Sequence, residues 1–503
     1  MRHDEYDAHD ATALADLVRR GDITPDELLD IALARIEAVD AHGGGVGGVG
    51  SVGGVGGVGS MADVREEHAR RAIADGLPDG PLRGVPFVLK DLGCEAVGLP
   101  TSSGSRLFHE LDPGHDSELY VRLRATGLVT FGRTTSPELG IGPTTEAKVY
   151  GHPTRNPWHL DHVAGGSSGG SGAAVAAGIV PIAHGSDGGG SIRIPASSCG
   201  VFGLKPTRAR LPDGPVAGEG WAGMAVDGFL TRSVRDTAAL LDATHGPDVG
   251  APYTAPHFDG SYLGQLDEPL APLRIAVLDH SFTGDAIHPE CVTAVQAAAH
   301  RCEALGHHVV VTAPSFDLVA LMAAWSDIVA CGTMLAVESV ERHRGRPAER
   351  DELESVTLAA IAHARSVSGA AYLTAVEHVH GVGRRIGQWY EANGIDVLLS
   401  PVLAEPPARI GRFRADRTDI IDFLEYRLER VLPYSPFAPL ANATGQPSMS
   451  VPLHWTAEGL PVGLQFTGRF GDEGRLLQLA VQLEEAMPWF RRRPVLSAGP
   501  VAT

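Results

Sequence analysis

The stretch Gly165-Gly166-Ser167-Ser168-Gly169-Gly170-Ser171 is followed by Asp187-Gly188-Gly189-Gly190-Ser191-Ile192-Arg193-Ile194-Pro195, and Ser167 and Ser191 lie 24 positions apart. Upstream, the apolar run Val85-Pro86-Phe87-Val88-Leu89 ends on Lys90. Lysine occurs only three times, at Lys90, Lys148 and Lys205, among 41 Lys and Arg residues, so arginine supplies nearly all the positive charge. A guanidinium keeps its proton at any working pH, whereas a buried amine can lose it and act as a base. A lone lysine after an apolar run is ordinarily a solvated strand end. Scarcity and the two serine loops downstream favour a catalytic base, and together the three segments read as a Ser-Ser-Lys hydrolase.

Glycine-rich loops also cradle phosphates and form tight turns. A Walker loop needs Lys followed by Ser or Thr, and no lysine lies between 149 and 204. The G-x-G-x-x-G dinucleotide pattern is missing from both loops. Gly165 to Gly169 and Gly166 to Gly170 each fit the G-x-S-x-G of a nucleophile elbow. An elbow follows a strand directly, however, and Pro157 in Asn156-Pro157-Trp158-His159-Leu160-Asp161-His162 is expected to break strand pairing there.

Composition narrows the classes. A formal charge of −20 over 503 residues argues against nucleic acid, which demands a basic face. The charged N-terminus lacks a signal-peptide apolar core, and no run reaches the ~18 uninterrupted apolar residues of a membrane span, so a cytoplasmic protein without membrane association is expected. The five cysteines, Cys94, Cys199, Cys291, Cys302 and Cys331, are dispersed without C-x-x-C, and the histidines contain no H-E-x-x-H. No disulfide framework, metal or cofactor is expected.

Thr24-Pro25-Asp26-Glu27 reads as an N-cap with a first-turn proline, opening a helix to about Asp40 with a stripe of Leu28, Leu29, Ala32 and Ile36. Residues 43–60, almost wholly Gly and Val, read as a flexible surface insert. Strand-like runs at 85–89, 128–131, 179–183, 274–278, 308–312 and 396–400 alternate with helical stretches and return at 448–453 and 462–466. That alternation predicts an α/β fold with a large, mostly parallel or mixed sheet. The chain divides into an N-terminal segment (1–64), one core domain (65–490) containing a helical, substrate-facing cap at about 316–432, and a tail (491–503).

The two serine loops, with Gly84-Val85-Pro86-Phe87-Val88-Leu89-Lys90-Asp91, Gly200-Val201-Phe202-Gly203-Leu204-Lys205-Pro206-Thr207, Asp396-Val397-Leu398-Leu399-Ser400-Pro401 and Asn442-Ala443-Thr444-Gly445-Gln446-Pro447, resemble the amidase signature family over most of residues 65–490. The resemblance implies that family's mixed sheet covered by helices on both faces. It also implies Ser191 as nucleophile, Ser167 as a bridging serine held by a cis peptide bond, and Lys90 as base. Amide hydrolysis needs an activated hydroxyl, a stabilised oxyanion and a proton for the leaving amine. Lys90 must start neutral, and lowering its pKa from about 10.4 to about 7 takes roughly 4 to 5 kcal/mol of differential stabilisation.

Backbone N–H groups of Gly188, Gly189, Gly190 and Ser191 are assigned to the oxyanion hole, because residues without Cβ allow close approach. Asp187, Arg193 and Ser168 are expected to support the loops, and Cys331 is a candidate for the acyl pocket, although an apolar core position suits it better. Trp221, Phe229, Trp325, Pro436 and Phe437 would suit an apolar acyl group if they face the cleft. Gly132-Arg133-Thr134-Thr135 departs from the asparagine common in that family segment.

The expected activity is hydrolysis of linear or cyclic amides of small molecules, most like enzymes of linear carboxylic amides, through an acyl-enzyme. Ester or carbamate hydrolysis on the same scaffold is an alternative. So is the A subunit of a tRNA-dependent amidotransferase, whose characteristic tyrosine-rich stretch is missing here. The resemblance further implies that the chain can form a homodimer.

Overall fold

The structure is a computed structural model that describes residues 1–40, 57–109 and 111–497. Its strands are β1 (Met61–Val64), β2 (Pro86–Lys90), β3 (Val129–Thr134), β4 (Arg155–Asn156), β5 (His159–Val163), β6 (Ile182–Asp187), β7 (Phe202–Lys205), β8 (Val226–Thr231), β9 (Arg274–Val277), β10 (His308–Val311), β11 (Val397–Pro401), β12 (Ser448–Trp455) and β13 (Pro461–Gly468). Eleven of them form one sheet in the order β1-β3-β2-β6-β8-β7-β12-β13-β11-β9-β10. Pairing is parallel among β3, β2 and β6 and among β11, β9 and β10, and antiparallel through the strands between them. The sheet is therefore mixed, and the run of strands from 448 onward returns to its middle.

Successive strand residues feed different cores, as the period of two in an extended chain requires. Val397 and Leu399 pack with the helices Pro289–Ala304 and Glu473–Ala486, whereas Leu398 between them packs with the helices Leu318–Arg344 and Gly369–Asn393. On β2, Phe87 and Leu89 join the first core while Val88 faces the helices Pro25–Val39 and Gly169–Ala176. Helices thus cover both faces.

Three sheet strands, β1, β7 and β8, fall outside the strand-like runs of the sequence. Two of them carry glycine, which lowers any strand signal. Gly203 on β7 has a packing reason, since a Cβ there would stand 2.7 Å from that of Ala196 on the helix Arg193–Cys199. The glycine lets the helix that follows Ser191 lie directly on the sheet.

Thr24 caps the helix Pro25–Val39: its hydroxyl accepts from Glu27 N, and the Glu27 carboxylate accepts from Thr24 N. Leu28, Leu29 and Ala32 are buried, and Ile36 is partly so. Most of the Gly-Val segment lies outside the described residues. Its last four, Gly57 to Ser60, correct the reading of a surface insert, because all are buried. Val58 N donates to Val39 O, and Ser60 N and Met61 N donate to the Asp40 carboxylate, so both flanks of the segment are tied together.

A second correction concerns Pro157. It occupies the turn of a two-stranded hairpin, β4–β5, so a strand does precede the Ser167 loop. Proline is tolerated because the turn asks nothing of its missing N–H. The hairpin stands apart from the large sheet.

The helix Leu318–Arg344 is long and apolar enough to cross a membrane by length and composition. Here Leu321, Met322, Trp325, Ile328 and Val329 are buried in the core shared with Ser355–Ala364 and Gly369–Asn393. Of the C-terminal segment, Arg493 donates to Asp7 O at 2.7 Å, and residues 498–503 lie outside the described part.

Candidate active site

Lys90 is the last residue of β2 and is fully buried. Its Nζ stands 2.6 Å from Ser167 Oγ and 2.9 Å from Ser186 Oγ. Burial pushes the amine down to about 7 from 10.5, against the opposing pull of Asp227 and Asp187. Lys90 N donates to His184 Nδ1, so the proton of that ring sits on Nε2 and faces Asp227 Oδ1 at 3.2 Å. Arg133, also buried, donates to the carbonyls of Lys90, Gly93, Cys94 and Leu99 and clamps the chain that leaves β2.

The peptide bond Gly166–Ser167 is cis. A Cβ on Gly166 would stand 2.6 Å from Thr144 N, so only glycine fits there. Ser168 N donates to Ser191 O at 3.0 Å and stitches the two loops together. The Ser168 hydroxyl exchanges hydrogen bonds with the Ser186 backbone, and Ser171 Oγ donates to His184 O. Both serines fasten the first loop to β6, which carries the second.

Asp187 ends β6 and forms a fully buried, two-pronged ion pair with Arg193, Oδ1 to Nη2 at 2.9 Å and Oδ2 to Nε at 3.0 Å. The carboxylate also accepts from Gly190 N at 2.7 Å and Ile192 N at 3.1 Å, which folds the three glycines into a turn around it. Arg193 reaches on to Ala438 O, Gln465 and Asn442, and Asn442 Nδ2 returns to Asp187. Burial alone would raise the acid, but Arg193 with Asn442 and Lys205 holds it well below the usual carboxylate range. A buried pair so fully hydrogen-bonded survives its desolvation cost, and losing one member would strand a charge.

Gly190 adopts φ +122°, and a Cβ there would stand 2.7 Å from that of Ala438. Its N–H, assigned from sequence to the oxyanion hole, is committed to Asp187 in this structure; that corrects its place in the set. Among the described residues the N–H groups of Gly188, Gly189 and Ser191 have no protein acceptor, and of these three residues Gly189 and Ser191 line the cleft.

Ser191 and Gly189 open on a cleft of about 450 Å³, counting its mouth, that is also lined by Trp221, Met322, Trp325, Arg427 and Ser435. The Trp325 indole donates to Gly188 O at 3.1 Å and meets Trp221 edge-on at 5.7 Å. A single residue of the helix Leu318–Arg344 thus braces the glycine turn and walls the cleft. The two indoles also crowd the glycines: a Cβ on Gly188 would stand 2.5 Å from Trp221, and one on Gly189 would press on Trp325 at 3.2 Å.

The Amidase family model matches residues 59–477. The chain is 38% identical over 497 residues to 6-aminohexanoate-cyclic-dimer hydrolase of Paenarthrobacter ureafaciens, covering 97% of this chain and 96% of that one. The chain belongs to the amidase family. Another amidase relative is putative amidase AmiC of Mycobacterium leprae, 36% identical over 96% of each chain. A solved 6-aminohexanoate cyclic dimer hydrolase complexed with substrate superposes with a TM-score of 0.89 over 97% of this chain and 99% of that one, at 36% identity. Like these amidases, the protein is a hydrolase of amide carbon–nitrogen bonds.

Not every sequence-derived residue meets this amidase cleft. Cys331 is half-buried on the same helix as Trp325 but does not line the cleft. Phe229 and Phe437 are core residues, while Trp221 and Trp325 do face the opening. Residues the sequence reading passed over include Ser186, His184, Gln465, Arg427 and Ser435, and Arg133 was noted only as part of a departure from the family's asparagine segment. Asn442 begins one of the recognised motifs, and Lys205 lies within another and was marked by the rarity of lysine, without a role assigned to either.

Proposed function

We propose that the protein hydrolyses a small-molecule amide through a Lys90–Ser167–Ser191 relay and an acyl-enzyme, releasing a carboxylate and an amine or ammonia. The reading rests on one observation above others: a fully buried lysine with a pKa brought to about 7, 2.6 Å from the hydroxyl of Ser167. A neutral amine has two N–H groups and one lone pair. Ser186 takes a donated proton through its hydroxyl, which leaves the lone pair free for the hydroxyl of Ser167.

Lys90 then accepts the Ser167 proton while Ser167 accepts that of Ser191, and Ser191 Oγ attacks the amide carbonyl. The oxyanion is received by the N–H groups of Gly189 and Ser191. Collapse breaks the carbon–nitrogen bond, and the relay run backward delivers its proton to the departing nitrogen. Water, deprotonated by the same relay, cleaves the acyl-enzyme and restores Ser191. Asp187 and Arg193 hold the turn and transfer no proton.

The cyclic dimer named for the relatives and simple linear amides are the first substrates to test. Purified wild type, Ser191→Ala and Lys90→Ala are assayed on cyclic, aliphatic and aryl amides and one ester. Turnover by wild type that disappears in both variants supports the relay. Undiminished turnover in a folded Ser191→Ala sinks it.

A further inference from the structure

Arg427 lies on a one-turn π-helix, Tyr426–Val431, a local widening often found at functional sites. It is only 6% exposed, yet it lines the same cleft as Ser191. Its guanidinium lies over the Trp325 ring at 4.4 Å, which leaves the edges of the fork unused. No carboxylate pairs with it among the described residues, and its Nε has no hydrogen-bond partner. Ser435, 3% exposed and lining the cleft as well, also has a hydroxyl without a partner.

The other buried guanidinium of the site behaves differently. Arg193 spends its donors on Asp187, Asn442, Gln465 and Ala438 O. Burying a charge is costly unless it is paired, and an unsatisfied buried donor calls for an explanation. A planar fork backed by an aromatic face, in a cleft that also holds an unpaired hydroxyl, is complementary to a carboxylate, which can take two parallel N–H bonds. Burial lowers the Arg427 pKa only to about 10, so the charge is present at neutral pH.

We propose that Arg427 and Ser435 form a carboxylate subsite, so that the preferred substrates are amides carrying a carboxylate elsewhere in the same molecule. The inference deepens the function proposed above and rests on the cleft beside Ser191 being the substrate cleft. The carboxylate supplies the counter-charge that the protein withholds, and the distance between it and the scissile amide then selects substrate length.

The test uses paired probes: monoamides of straight-chain dicarboxylic acids and N-acyl ω-amino acids of increasing length, each beside its neutral methyl ester. Binding is measured by calorimetry to Ser191→Ala, which keeps the cleft and removes the nucleophile. At least one anionic probe is expected to bind tenfold or more tightly than its ester. That ratio is expected to fall below threefold when Arg427→Gln is added, to recover in part with Arg427→Lys, and to drop more modestly with Ser435→Ala. Melting curves confirm that each variant is folded.

Equal binding of acid and ester at every length in Ser191→Ala overturns the subsite without any change at Arg427, as does a preference that survives Arg427→Gln. The two readings separate cleanly. Tight binding of acids by a chain that hydrolyses no amide leaves the subsite standing and defeats the relay, whereas turnover of neutral amides with no preference for acids does the reverse.

Discussion

Lys90 at the end of β2 and Lys205 at the end of β7 are both fully buried lysines, and burial brings both down to about 7. Their neighbours differ. Lys90 faces two hydroxyls, of Ser167 and Ser186, whereas Lys205 Nζ donates to the backbone carbonyl of Pro206 at 2.8 Å and lies under the field of Arg193. Desolvation prepares an amine to act as a base, but only a hydroxyl within reach gives it a proton to take. A carbonyl can only accept, so Lys205 has nothing to deprotonate and acts as a positive neighbour of Asp187.

The largest expected contrast is therefore catalytic. Lys90→Met is expected to lower kcat/KM by about 10³-fold, within the range for general acid–base groups. Lys205→Met is expected to stay within about tenfold, since it removes only a distant charge from the Asp187 cluster. Comparable losses in the two variants would break the distinction.

Next comes the ion pair that shapes the turn. Asp187→Ala leaves Arg193 buried without its counter-charge and is expected to cost about 3 to 5 kcal/mol in denaturant unfolding. A loss below 1 kcal/mol would show that water or the neighbouring amides replace the carboxylate.

The pH profile sharpens the comparison further. If Lys90 acts unprotonated, kcat/KM falls about tenfold per pH unit below its pKa of about 7 and levels off above it. Ser186→Ala removes one hydroxyl partner of the amine and is expected to cost several-fold in rate and to displace that midpoint. A profile flat from pH 5 to 8 contradicts a titrating base.

The smallest effect is on stability. Both lysines titrate at 10.5 when unfolded and at about 7 when folded, so between those values the unfolded chain binds more protons and each lysine makes stability rise with pH. Below about 7 both states are protonated, and the cost of burying the charge is felt in full. Comparing wild type with Lys205→Met between pH 7.5 and 8.5 is expected to remove up to about 1.4 kcal/mol per pH unit of that slope.

Much of the candidate site was legible in the chain because its segments are local. The triple glycine before Ser191, the Gly-Ser loop and the lysine after an apolar run each declare themselves within a few residues, and seven strand-like runs coincide with strands of the sheet, while the run 179–183 meets β6 only at its last two residues. Strands β7 and β8 were not legible, because Gly203 and Gly228 serve close packing between layers, and that need arises only once the layers meet. Gly190 N–H was assigned to the oxyanion by its place beside Ser191; the competing claim of Asp187 depends on how the carboxylate folds back.

The sequence by itself determined the class of the protein: an α/β chain whose glycine-serine loops and rare lysine match the amidases. It determined these things because hydrophobic periodicity, glycine runs and residue rarity are properties of neighbours along the chain. Only the tertiary structure decided which of two buried lysines meets a hydroxyl and which arginine keeps its partners. Lys90, Ser167 and Ser186 come from β2, a loop and β6, and Arg427 meets Trp325 from another helix. Pairing and burial of charge depend on distances in space, and those are set when the sheet and its covering helices close.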